Sequence, residues 1–188
     1  MIFNYKLKGI LTILSFLIVL VLFLILRNFF LKMDLFSILS FSGVIFVFFC
    51  FDLIFNINFK LKYYVYVLLV AFFGFFFGFL TFYIPYYNRA MHFLGPFFLC
   101  SLIFFVLSKR GYNKKESLFF VFFISVAILG IHELIEYFID IVFNMNLQGV
   151  GLGRIDDTMI DLFMGVLGSL TYILFGFLKR NNYKTSSI

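Results

Sequence analysis

The sequence predicts an all-α integral membrane protein, a bundle of six transmembrane helices with both the N-terminus and the C-terminus in the cytoplasm. Three observations lead to that fold class. Hydrophobic residues make up 64% of the 188, charged residues only 13%, and the mean hydropathy is +1.10. A soluble domain is about 25% charged, so this chain cannot clothe a water-facing surface. The apolar residues also come in runs long enough for spanning helices, which need about 20 of them. Finally, the runs do not alternate: Phe119, Phe120, Val121, Phe122 and Phe123 are consecutive, whereas barrel strands change character at every other position. Soluble enzyme, disulfide-held secreted scaffold and disordered chain are excluded. Cys50 and Cys100 lie inside apolar runs and are expected as free thiols.

The first span is read at about residues 10–26. Lys6 and Lys8 precede it as they would a signal peptide. No small-residue cleavage site follows and the apolar run is too long for an h-region, so this helix is expected to be retained. The second span is read at about 35–55, the third at about 63–84 ahead of Pro85, and the fourth at about 90–107. The fifth is read at about 117–143 and the sixth at about 158–178. Tyr63, Tyr64, Tyr83, Tyr86, Tyr87 and Tyr112 fall near these boundaries, as an interfacial aromatic belt requires. No separate soluble domain is expected, and residues 1–188 form one transmembrane domain.

Basic residues set the orientation. Lys6, Lys8, Lys60, Lys62, Lys109, Arg110, Lys114, Lys115, Lys179, Arg180 and Lys184 fall on the side shared by both termini. Only Arg27, Lys32, Arg89 and Arg154 fall on the other. Most acids gather on that second, extracytoplasmic side, leaving Asp52 and Glu116 towards the cytoplasm. The net charge of +6 is thus an orientation label rather than a nucleic-acid footprint, since no basic amphipathic helix accompanies it.

The fifth helix carries the densest polar group: His132, Glu133, Glu136 and Asp140. At about 100° per residue they fall within one stripe about 100° wide, with Ser125 on the same side. Each ionisable side chain near the bilayer centre costs about 2.5–3.5 kcal/mol or more. Such a stripe must face the bundle interior or a wet cavity, where it marks a functional site. The sixth helix opens on Asp156, Asp157 and Asp161; Asp157 and Asp161 share a face that Gly165 and Gly168 continue. Small residues allow close helix approach, bringing Asp161 towards the stripe. Asp156 and Asp157 also suit a helix N-terminus, where acids favour the dipole. The fourth helix brings Asn88, Arg89 and His92 in at the same level, with Pro96 as a kink point. Gly149-x-Gly151-x-Gly153-Arg154 lacks the strand and spacing of a nucleotide loop, and Gly74-x-x-x-Gly78 reads as a packing motif.

His132-Glu133-x-x-Glu136 approaches the helical zinc-protease pattern but lacks its second histidine. An imidazole and a carboxylate one turn apart still have ligand geometry. The expected divalent-metal set is His92, His132, Glu136 and Asp161. Glu133, Glu136, Asp161 and His132 are the candidate catalytic groups. Arg89, Arg154 and Asp157 are the candidate substrate contacts, with the arginines suited to an anionic head group.

The order of these features resembles a known family. Arg89, His92 and Phe93 open one helix, Glu133 and Glu136 follow on the next, and Asp157, Asp161 and Gly168 lie on the last. Over about residues 85–175 this is similar to the YjdF-type inner-membrane proteins, whose activity is unassigned, and more loosely to the VanZ-like proteins. The resemblance implies a compact multi-helix protein of the cell membrane and, through the VanZ-like relatives, a link to the cell envelope and glycopeptide tolerance.

Three readings stand at this point. The cluster binds or acts on a lipid or envelope precursor with metal assistance, it serves a small proton-coupled transporter, or it glues helices in a structural or partner-binding subunit. The bilayer is the expected partner and nucleic acid is not.

Overall fold

The computed structural model describes residues 35–84, 86–143 and 154–178, with eight positions between 7 and 21. Those eight are helical and lie at and just before the first predicted span. The rest of that span, the glycine-bearing loop over 144–153 and the tail from 179 lie outside the described residues, as does the side chain of Arg154. The described chain is helical, and no strand occurs in it.

The elements are α1 (Leu35–Ile54), α2 (Leu61–Ala71), a π-helical turn (Phe72–Phe76), a 3-10 turn (Gly78–Phe82), α3 (Tyr87–Lys109), α4 (Lys114–Phe143) and α5 (Arg154–Leu178). The last three are long and apolar enough to cross a membrane; shorter apolar helical stretches run over Ser40–Ile54 and Leu61–Gly74. The second, fourth, fifth and sixth predicted spans thus coincide with α1, α3, α4 and α5. The third does not form one continuous helix.

That helix breaks at Phe72, where the Phe77 N–H bonds the Phe72 carbonyl at 3.0 Å, one residue wider than an α-turn. Gly74 and Gly78 weaken the helix here, glycine being about 1 kcal/mol poorer than alanine. The rings of Phe72, Phe73 and Phe77 pack on one another across the break. The interruption frees backbone carbonyls, and the Tyr87 hydroxyl donates to that of Phe73 at 2.7 Å. The Gly74-x-x-x-Gly78 pattern marks this break rather than a tight helix crossing: nothing described approaches Gly78, and only the Met91 side chain approaches Gly74.

Two compact units divide at α3, Met1–Met91 and His92–Ile188. In the first, α1 turns into α2 through a loop with Asn56 and Asn58 in left-handed conformations (φ 47° and 54°). Asparagine tolerates that region better than most side chains. Asp52, fully buried, holds the loop: its carboxylate accepts from the Phe59 N–H at 3.1 Å and from the Tyr64 hydroxyl at 2.7 Å.

In the second unit α4 starts with a capping box. The Asn113 side chain accepts from the Glu116 N–H, and the Glu116 carboxylate accepts from the Asn113 N–H, both at 3.0 Å. α4 packs along α5, and α3 meets α5 where Phe93 lies against Gly168. The expected close approach at Gly165 and Gly168 is present. A β-carbon at 165 would run into the Leu129 side chain, and one at 168 into the Phe93 backbone carbonyl. The unit is inverted relative to a soluble protein. Ser117, Ser125, Glu133, Asp140, Asp157, Asp161 and Ser169 are buried, while Phe119, Phe123, Leu134, Phe163, Leu174 and Phe175 face outward. That distribution is stable only where the surroundings are apolar.

Candidate functional site

Three helices each send one side chain to the same point. His92 comes from the second turn of α3, Glu133 from the middle of α4 and Asp161 from the second turn of α5. The imidazole stands between the two carboxylates. Its Nδ1 lies 3.2 Å from Glu133 Oε1 and its Nε2 lies 3.5 Å from Asp161 Oδ2. The three side chains are 11%, 2% and 4% exposed. One donor atom from each lies within 4.8 Å of the others. Among the described residues Glu133 Oε1 accepts no well-aligned hydrogen bond, although His92 Nδ1 lies 3.2 Å away.

His132 and Glu136 lie on α4 beside the trio and further into the open. Nε2 of His132 is 3.5 Å from Glu136 Oε1, and the two side chains are 40% and 24% exposed. The His92 and His132 rings are nearly parallel, with centroids 6.0 Å apart. Glu136 is within electrostatic reach of His92, Glu133, Asp161 and Asp140. The structure thus sorts the predicted metal set differently. Glu133, at the edge of the expected stripe, joins His92 and Asp161, whereas His132 and Glu136 pair with each other.

The remaining predicted residues scatter. Asp140 and Asp157 are buried and held by interactions of their own, so Asp140 is no interfacial acid bathed in water. Asp156 is exposed in the first turn of α5, where an acid favours the helix dipole. The Arg89 guanidinium lies over the Tyr86 ring, 5.1 Å from its centroid. Pro96 sits inside α3 without ending it and has no N–H to offer the His92 carbonyl.

A second polar layer lies deeper on the same three helices. Ser125 and Ser169, both fully buried, share a hydrogen bond of 3.0 Å, and the buried Cys100 thiol lies beside both hydroxyls. Cys100 and Cys50 are free thiols, as expected. Each member of the layer is eight residues from one member of the trio: Cys100 from His92, Ser125 from Glu133, Ser169 from Asp161. Eight residues of helix are about 12 Å. Sequence reading singled out Ser125 but not Ser169 or Cys100. The common spacing on antiparallel neighbours was the available signal.

One imidazole nitrogen and two carboxylate oxygens suit Zn²⁺, Mn²⁺ or Mg²⁺. A bound ion would act as a Lewis acid on an anionic ligand or lower the pKa of bound water. No curated protein and no solved structure matches this chain. A family model does match, over residues 10–182, and its description is predicted membrane protein (DUF2238). The match agrees with the YjdF-type resemblance, while the looser VanZ-like likeness gains nothing from it. With its long apolar helices, buried acids and outward phenylalanines, the chain belongs to this membrane protein family.

Proposed function

We propose that the protein is a multi-pass protein of the cell membrane that holds a divalent cation on His92, Glu133 and Asp161 and uses it to bind, or act on, an anionic lipid or envelope precursor. The observation that carries this reading is the convergence of the three donors within 4.8 Å in a nearly closed environment. Two buried carboxylates beside one imidazole are expensive at membrane depth without a compensating positive charge. The distribution of basic residues supports six spans with cytoplasmic termini and, with them, a cluster towards the extracytoplasmic face, where head groups are in reach. Arg154, one turn ahead of Asp157, is the basic residue best placed in the sequence to meet a head group there.

The same distances favour a second reading, in which His92 is simply a strut between α4 and α5. Packing at Gly165 and Gly176 and the Ser125–Ser169 bond already join these helices without it. Transport is supported least. Towards the cytoplasmic end of α4 the inward positions Val121 and Leu118 are buried and apolar, and the buried Ser117 hydroxyl there turns back to donate to the Tyr112 carbonyl.

Metal analysis of detergent-purified protein decides between cation and strut. The expected result is about one or more tightly held ions per chain, lost in His92→Ala and Glu133→Gln variants that remain monodisperse. Native protein that takes up no Mn²⁺ or Zn²⁺, with variants that only lose thermal stability, establishes the strut.

A further inference from the structure

Resting on the cation reading of the inner trio, we propose that His132 and Glu136 form a second, outer cation position, so that the cluster holds a pair of divalent ions. Metal–ligand bonds of about 2.1 Å at octahedral or tetrahedral angles place neighbouring donors about 3.0–3.4 Å apart. His132 Nε2 and Glu136 Oε1, one helical turn apart, are separated by 3.5 Å, close to the span of two ligands on one ion. They are not among the three donors that converge at the inner position.

Local charge points the same way. Glu136 lies within electrostatic reach of Glu133, Asp161 and Asp140. Histidines bind metals as neutral imidazoles. An ion at the outer position would offset the Glu136 carboxylate within this acid-rich surround. The two positions also differ in access. The inner donors are at most 11% exposed, whereas His132 is 40% and Glu136 24% exposed. An ion at the outer position keeps sites open for water or for a ligand oxygen, while the inner ion is enclosed. Two-metal sites in proteins hold their ions about 3.5–4 Å apart.

The test uses Mn²⁺ alone with the full chain in detergent, read by metal analysis and electron paramagnetic resonance. The expected result is two ions per chain and a spin-coupled Mn²⁺ pair. His132→Ala and Glu136→Gln each reduce this to one ion and an uncoupled six-line spectrum. One uncoupled ion in the native protein, kept by both variants and lost in His92→Ala, overturns the outer position and leaves the inner reading standing. Two ions that survive both variants overturn the assignment to His132 and Glu136. No bound Mn²⁺ at all overturns both readings. The native spectrum decides the pair even if a variant fails to fold.

Discussion

The backbone carbonyl of Phe93 stands where a β-carbon on residue 168 would have to lie. Backbone cannot swing aside as a flexible side chain can, so α3 and α5 must separate if residue 168 grows. Gly168→Ala should therefore destabilise the protein by about 1–3 kcal/mol or more. Because His92 immediately precedes Phe93, the same change should also weaken cation binding. Thermal unfolding in detergent and Mn²⁺ titration check both. Gly130→Ala is the control: nothing described lies near that position, so stability should hold or rise by up to about 1 kcal/mol through alanine's better helix propensity.

Asp52 should act on stability and leave cation binding alone. Asp52→Ala orphans a buried N–H and a buried hydroxyl, each worth about 1–3 kcal/mol when left without an acceptor. Tyr64→Phe removes the hydroxyl's bond to Asp52 and should cost about 0.5–1.5 kcal/mol. A fall in Tm without loss of Mn²⁺ affinity is the expected pattern in both variants. Loss of the ion in Asp52→Ala would disprove the assignment of this acid to the loop.

The Ser125–Ser169 bond can be weighed by a double-mutant cycle. Interhelical hydrogen bonds in membrane proteins average about 0.6 kcal/mol of coupling. Ser125→Ala and Ser169→Ala should each be mild, and the double variant should cost less than their sum. Strict additivity would mean that the 3.0 Å contact contributes nothing.

Cation affinity should fall as pH is lowered, because protons compete for the same imidazole nitrogen and carboxylate oxygens. Isothermal titration with Mn²⁺ between about pH 8 and pH 5.5, across the ordinary histidine range, reads this directly. The slope should shrink in His92→Ala relative to native protein. A pH-independent affinity would exclude these ligands.

Much of the architecture was legible in the sequence, because lipid imposes one rule on every residue of a span. Apolar runs gave α3, α4 and α5 within a few residues, and the glycine face of α5 was recognisable from spacing. The break after Ala71 was not, since a π turn and a 3-10 turn read in one dimension like one more apolar helix. The composition of the cluster was also legible, but not its partition. A helical wheel places Glu133 and Glu136 about 60° apart without saying which of them faces α3. That choice depends on how α4 crosses its neighbours, which residue 165 and residue 168 help to set by being glycine.

The two polar layers have a consequence for how this chain tolerates insertions and deletions. Cys100, Ser125 and Ser169 repeat the positions of His92, Glu133 and Asp161 at one common interval on three helices. Removing one residue between the layers of a single helix rotates one layer by about 100° relative to the other. Either that helix's member of the trio or its serine or cysteine of the deeper layer would then face lipid. The three nine-residue segments 92–100, 125–133 and 161–169 are therefore locked to one another in length, as though they were a single indivisible word written in three places.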